Sequence, residues 1–244
     1  MWVLRSIKHP AVLYRYAPSR SGDIPKQLLG DYRGALMVDG YEGYNAVCAT
    51  QKLIRLGCWA HARRKFVEAQ KAQARTKTGK ADQALAFIQA LYRIEQLAKH
   101  ASPQERHAIR YAQAQPIIDK IRQWMEKSIP HTPPQTLLGK ALFYLQHQWP
   151  YLIRYLEDGQ YPIDNNAAEN AIRPFVVGRK NWLFSSSQSG ATASANLYSL
   201  IETAKANGIE PYVYLRRVFT DLPNAQSVEQ IEALLPWNVK GGVG

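Results

Sequence analysis

Two acids stand out by their placement. Asp39 closes the apolar run Ala35-Leu36-Met37-Val38 and is followed by Gly40. A carboxylate at the carboxyl end of a buried strand faces the crevice where open α/β sheets hold their ligands, and its hard oxygens suit a divalent metal. The alternative is a strand-end aspartate that bonds its own turn. Glu169 falls on a short helix predicted from Asn165 to Arg173, capped by Asp164 and ended by Pro174. Asn166, Glu169 and Arg173 share one face there, while Ala168, Ile172 and Phe175 form an apolar face that can pack on a sheet. The alternative is a surface Glu–Arg pair. Together the two acids suit two-metal phosphoryl transfer, in which carboxylates from separate elements converge on ions ~3.5–4 Å apart. Two acids are one fewer than that chemistry usually employs.

Other side chains are candidates for binding. Cys58-Trp59-Ala60-His61 offers a thiol and an imidazole at metal-ligand spacing, but a structural zinc site wants four ligands and Cys48 is the only other cysteine. A buried thiol and a packed or phosphate-facing His61 is the competing reading. Arg63, Arg64 and Lys65 cluster at a helix start, and with Arg173, Arg179 and Lys180 they could line a track for a phosphate backbone or simply form a solvated face. Trp182, beside Arg179 and Lys180, suits stacking on an unpaired base, or a place in the core.

Several elements must position these groups. Trp2-Val3-Leu4 and Ala11 to Tyr16 read as strands separated by the turn His9-Pro10. A short helix follows from Pro25 to about Tyr32, ended by Gly34, and 35–38 reads as a buried central strand. Tyr44 to Thr50 suits a helix and Lys52 to Leu56 a further strand, so a mixed or parallel sheet with flanking helices is expected. From Trp59 the apolar spacing is helical for about a hundred residues. Ala84, Phe87, Ile88, Leu91 and Ile94 repeat at helical intervals. Ser102-Pro103-Gln104-Glu105 is a capping box, and Thr132-Pro133-Pro134-Gln135 reads as a second. Pro116 and Pro150 should kink or divide their helices, and Gly159 suits a stop. Arg179 to Trp182 reads as a turn, Ser185 to Gly190 as a loop, Ala191 to Asn207 as a helix with Gly208 past its end, and Glu210-Pro211 as the start of a final helix. The tail through Gly241-Gly242-Val243-Gly244 reads as loose.

Charge narrows the choice of partner. Lys and Arg number 31 against 19 acids, a net +12 that concentrates polyanions such as nucleic acid around the chain. No apolar run approaches the ~18 residues of a membrane span, and the N-terminus turns polar too soon for a secretory signal. Two cysteines do not make a disulfide framework, and the cytoplasm is the expected compartment.

Three stretches carry a resemblance. Residues Leu36 to Asn45 (LMVDGYEGYN), Gly57 to Phe66 (GCWAHARRKF) and Asp164 to Pro174 (DNNAAENAIRP) closely resemble transposases of the insertion sequence 66 family, and Leu235-Pro236-Trp237-Asn238 is similar to that family's ending. The resemblance covers nearly the whole chain. It implies an α/β, ribonuclease H-like core, with a mixed sheet and flanking helices, interrupted by a large helical insertion. The expected division is residues 1–60 and 161–222 as the two parts of the core, 61–160 as the insertion and 223–244 as a C-terminal tail. The resemblance also implies that Asp39 and Glu169 are the second and third members of an Asp-Asp-Glu triad holding two Mg²⁺ (or Mn²⁺) ions for DNA strand cleavage and strand transfer. The first aspartate, on a strand upstream of Trp2, has no match, since Asp23 and Asp31 lie in the helical stretch before Asp39. The family's N-terminal DNA-recognition and coiled-coil segments have no match either. The expectation is therefore an incomplete transposase acting on DNA, associating with copies of itself or with an intact transposase, or else a non-catalytic DNA-binding remnant.

Overall fold

The computed structural model describes residues 1–72, 78–182 and 185–239, apart from the side chain of Trp182. The fold is mixed α/β and dominated by helices, with two two-stranded sheets among the described residues. The chain forms two compact units, one of Met1–Arg20 with Asn166–Gly244 and one of Ser21–Asn165.

In the first unit, strands β1 (Trp2–Arg5) and β2 (Val12–Arg15) pair antiparallel, with Val3 opposite Tyr14. Alternation along β2 buries Val12 and Tyr14 and exposes Leu13 and Arg15. Helix α8 (Asn166–Trp182) and helix α9 (Gln188–Ala206) belong to the same unit. Ser199 and Thr203 lie one turn apart on α9, and their hydroxyls take the place of a neighbouring strand along β2. Thr203 Oγ1 accepts from the Val12 amide at 3.0 Å and donates to its carbonyl at 2.9 Å, while Ser199 Oγ accepts from the Tyr14 amide at 2.8 Å. Tyr14 is fully buried between Phe175 and Tyr198, and its hydroxyl donates to the Ala171 carbonyl, fixing α8 to the hairpin.

Helix α8 runs well past the expected stop. Pro174 lies inside it, and the expected turn at Arg179–Trp182 is its last helical turn. The proline removes the hydrogen bond to the carbonyl of Asn170, but Asn170 is exposed, so water can satisfy that carbonyl. Pro150 is tolerated for the same reason in the second unit, where the residue four positions earlier, Gln146, is exposed. Ser187 caps α9 through the Gly190 amide, so the helix starts three residues before Ala191. Helix α10 (Pro211–Asp221) opens as expected, with the Glu210 carboxylate accepting from the Val213 amide. A further short helix, α11 (Val228–Glu232), lies within the expected tail. Tyr214 donates to the Leu234 carbonyl, and Val239 is buried with Tyr214 and Val218, so the chain is packed as far as residue 239. The loose ending expected at 241–244 lies outside the described residues.

The second unit begins with α1 (Asp23–Leu29), β3 (Ala35–Met37), α2 (Gly43–Thr50) and β4 (Ile54–Leu56). Strands β3 and β4 pair in parallel, with Leu36 opposite Arg55, and α2 makes the crossover. Gly30, at φ 50°, ends α1, four residues before the expected Gly34. The reading of 35–38 as a buried central strand is corrected. Among the described residues β3 has one strand neighbour, its three residues are half-buried, and Val38 beyond it is buried.

The helical block follows as α3 (Trp59–Lys71), α4 (Lys80–Leu97), α5 (Pro103–Ile109), α6 (Gln115–Ser128) and α7 (Leu137–Leu152). Trp59, Ala62, Phe66 and Ala69 form the buried stripe of α3, spaced three and four residues apart, and the first three pack with Ile88 and Leu91 of α4 and Leu142 and Leu145 of α7. The capping box at Ser102 is present, with its Oγ accepting from the Glu105 amide and the Glu105 carboxylate accepting from the Ser102 amide. The second one is not at Thr132, because Thr136 is the residue that caps α7 through the Gly139 amide. Pro116 sits in the first turn of α6, directly after a π-helical turn at Arg110–Ala114. Arg110 in that turn is 1% exposed. It makes a two-pronged pair with Glu95 at 2.8 and 2.7 Å and donates to the carbonyls of Tyr155, Asp158 and Tyr161.

The compact units part at residues 20/21 and 165/166, so β3 and β4 share a unit with the helical block.

Candidate active site

Asp39 sits two residues past β3 and is half-buried. Its Oδ1 accepts from the Tyr41 amide at 3.0 Å, so one oxygen bonds its own turn. Among the described residues no donor engages Oδ2, which leaves that oxygen for a ligand.

Beneath Asp39 lies Arg55 of β4, 4% exposed. Its guanidinium donates to the Asp39 carbonyl at 3.3 Å, to the side-chain oxygen of Asn45 on α2, and to Gln148 Oε1 on α7 at 3.5 Å. It also lies over the Tyr151 ring, 4.3 Å from the centroid. A buried arginine bonded only to neutral acceptors is unusual, because buried charges are normally paired. Here it joins the strand end, the crossover helix and the helical block under one carboxylate.

Tyr144 of α7 packs against the next residue. A Cβ on Gly40 would meet its Cε2 at 2.8 Å, so glycine permits this approach. Burial pushes the Tyr144 phenol up to about 12, with Asp39 adding to the rise and Arg55 and Arg64 opposing it.

The segment that leads into α8 is held at the start of α3. The Trp59 amide donates to the Ile163 carbonyl at 3.1 Å, the Cys58 thiol donates to Asn165 Oδ1 at 2.9 Å, and the Tyr92 hydroxyl donates to Asp164 Oδ2 at 2.7 Å. Asp164 therefore receives a tyrosine hydroxyl just ahead of α8. Burial pushes the Cys58 thiol up to about 11, so at neutral pH it is a protonated hydrogen-bonding group. Cys48 is buried beside Val47 and Leu53.

Glu169 is half-buried on the first turns of α8, two residues before the carbonyl that Tyr14 binds. It belongs to the first unit and Asp39 to the second. The basic residues divide likewise. Arg63, Arg64 and Lys65 are exposed on α3 beside half-buried His61, and Arg173, Arg179 and Lys180 are exposed on α8. The stacking expected of Trp182 falls on a side chain outside those described. Within neither unit do three or more His, Cys, Asp or Glu side chains gather to hold a metal, among the described residues.

Sequence reasoning missed Arg55 and Tyr144. Arg55 had a signal, being a charged residue inside the apolar run Leu53-Ile54-Arg55-Leu56. Tyr144 had none, since it follows the helical period of its neighbours.

Residues 1–193 match the family model described as Transposase IS66 family, and residues 199–237 match the IS66 C-terminal element. The chain belongs to the IS66 transposase family. Three relatives from Sinorhizobium fredii (strain NBRC 101917 / NGR234) are similar to it, all described as uncharacterized. Protein y4qI is 32% identical over 241 residues, y4hP 32% over 244 and y4jD 31% over 238. Each alignment covers 95% of this chain but only 44%, 44% and 46% of the relative, so the chain spans less than half the length of these IS66-like proteins. No solved structure matches it. No helix among the described residues is long and apolar enough to cross a membrane.

Proposed function

We propose that this chain is part of a DNA transposase of the Asp-Asp-Glu type, in which Asp39 and Glu169 are two of the three metal-binding carboxylates. The observation that carries the reading is the family match across residues 1–193, which contains both acids. The local structure supports it. Asp39 presents one unengaged oxygen at a strand end, a donor suited to a hard divalent cation. Glu169 projects from a helix anchored by its buried face at Ala171 and Phe175. The core we propose is ribonuclease H-like, its parts at residues 1–60 and 161–222 interrupted by the helical block. Each of the two sheets has an edge without a strand partner among the described residues, so either can take up a further strand, as a larger core requires.

Two Mg²⁺ or Mn²⁺ ions bound to these carboxylates would activate the attacking oxygen and stabilise the leaving one. The chain's own residues supply the rest. Arg55 holds the Asp39 turn, Tyr14 holds α8, and the exposed cations of α3 and α8, together with His61 and Trp182, are assigned to DNA. Copies of the chain or an intact transposase are the proposed protein partners.

Asp23 and Asp31, the acids before Asp39, lie in and just after α1 and not on a strand. The chain by itself is therefore proposed to fall short of cleavage. Incubating it with element-end DNA and Mg²⁺ tests this, and cleavage abolished by Glu169→Gln would refute the incompleteness while supporting the chemistry. A second reading, a non-catalytic DNA-binding remnant, is favoured by the lack of a three-ligand cluster within either unit. It predicts that Mn²⁺ titration gives the same response in wild type and Asp39→Asn.

A further inference from the structure

We propose that Tyr144, contributed by the helical block, is a substrate-contacting residue of the Asp39 site, its phenol hydroxyl donating to a non-bridging oxygen of a DNA phosphate. This rests on the transposase reading above and extends it to a part of the chain that otherwise serves as a scaffold.

Placement is the first argument. Ala141, Leu142 and Leu145 of α7 point into the core of the block, and Tyr144 emerges half-buried at its rim. Its ring lies along the backbone of Gly40, where an added Cβ would meet Cε2 at 2.8 Å and the hydroxyl oxygen at 3.2 Å. The phenol therefore borders the residue next to the Asp39 carboxylate.

The second argument is its hydrogen bonding. Buried and half-buried tyrosines normally find a partner for the hydroxyl. Tyr92 has Asp164, Tyr14 has Ala171 and Tyr214 has Leu234. Neither Tyr144 nor fully buried Tyr155 has one among the described residues, but the Tyr144 hydroxyl, unlike that of Tyr155, is not sealed from solvent. A donor kept at the rim of the site without an internal acceptor suits an acceptor that arrives from outside.

Charge favours a phosphate as that acceptor. Arg55 and Arg64 both lie close enough to act electrostatically on the Tyr144 phenol, as Asp39 does. Arg64 is exposed on α3 and can offer a charged donor to the same anion, whereas Arg55 is buried and engaged with Asp39, Asn45 and Gln148; phosphate oxygens accept strongly from donors of both kinds. A neutral hydroxyl adds direction to the contact without adding charge.

That last property makes the test specific. Equilibrium binding of mixed-sequence duplex DNA to the full chain in Mg²⁺ is measured over a range of salt for wild type, Tyr144→Phe and Arg64→Gln. Tyr144→Phe is expected to weaken binding about fivefold to tenfold at every salt concentration, as one lost hydrogen bond to a charged acceptor does. Its salt slope and thermal midpoint stay those of wild type. Arg64→Gln is expected to lower the salt slope by about 0.9, the value of one phosphate contact. A Phe variant that binds as wild type overturns the proposal, as does one whose thermal midpoint falls along with its affinity, which would assign the ring to packing alone. A wild-type chain that shows no salt-dependent DNA binding removes the transposase reading and this proposal with it, and that outcome is read before any variant is made.

Discussion

Arg55 Nη2 donates to the carbonyl oxygen of Asp39 at 3.3 Å, from a side chain that is 4% exposed and has no carboxylate partner among the described residues. The same guanidinium satisfies the side-chain oxygens of Asn45 and Gln148. Replacing Arg55 with Met would leave buried Gln148 and the half-buried Asp39 carbonyl without this donor and would open the space under the strand end, while exposed Asn45 can turn to water. The expected cost is about 3 kcal/mol of stability, measured by urea unfolding. Lysine cannot reproduce the planar fork and should recover less than half of the loss. If Arg55→Met unfolds at the wild-type urea concentration, the buried network contributes nothing.

Gly40 and Tyr144 give a second prediction. Gly40→Ala places a methyl group 2.8 Å from the Tyr144 ring, and the ring must move. Stability should fall by about 1–2 kcal/mol, a typical cost of overpacking. The DNA affinity should fall as it does in Tyr144→Phe. The two substitutions combined should bind DNA no more weakly than either alone, because both remove one contact. Additive losses would show that Gly40 acts elsewhere.

The Cys58 thiol predicts a pH dependence in the alkaline range. Burial raises it from 9.0 to about 11, so between those values the unfolded chain has lost a proton that the folded chain retains. Stability from this group is therefore fully present below pH 9 and is lost as pH rises through 11. The loss amounts to about 2–3 kcal/mol. Serine does not ionise in this range, so the difference in unfolding free energy between wild type and Cys58→Ser should change with pH by that amount. A flat difference would mean that the thiol titrates normally in the folded chain.

Glu95 and Arg110 allow a comparison of ion pairs by burial. Arg110 is 1% exposed and its partner 16%, whereas the pair Arg122–Glu126 is exposed on both sides, at 66% and 59%. Glu95→Ala leaves a buried guanidinium without its carboxylate and should cost about 3–5 kcal/mol. Glu126→Ala should cost less than about 0.5 kcal/mol. Thermal unfolding of the two variants side by side decides this, and equal midpoints would contradict it.

How much of this was legible in the sequence depends on how local the cause was. The hairpin strands, the Ser102 capping box, the Glu210-Pro211 helix start and the α4 stripe were readable because propensity and spacing act within a few residues. The stop placed at Pro174 and the division suspected at Pro150 followed a sound local rule. What decided otherwise was the exposure of Asn170 and Gln146, a tertiary property. The apolar run 35–38 signals a strand, but the number of strands beside it is set by distant chain, which periodicity does not encode. The site was legible in part for the same reason. The candidate carboxylates proposed here, Asp39 and Glu169, can be picked out by position and by their place in the matched family region. The engagement of Asp39 Oδ1 by the Tyr41 amide, and the approach of Tyr144 to Gly40 across about a hundred residues of sequence, follow only from the folded helical block.

The hydroxyls of Ser199 and Thr203 have one more consequence. By occupying the outer side of β2 they close that margin of the hairpin to any incoming backbone, since the Val12 and Tyr14 amides are already engaged. Growth of this sheet is therefore one-directional. Any strand added to this hairpin would have to come alongside β1, because α9 already occupies the other margin.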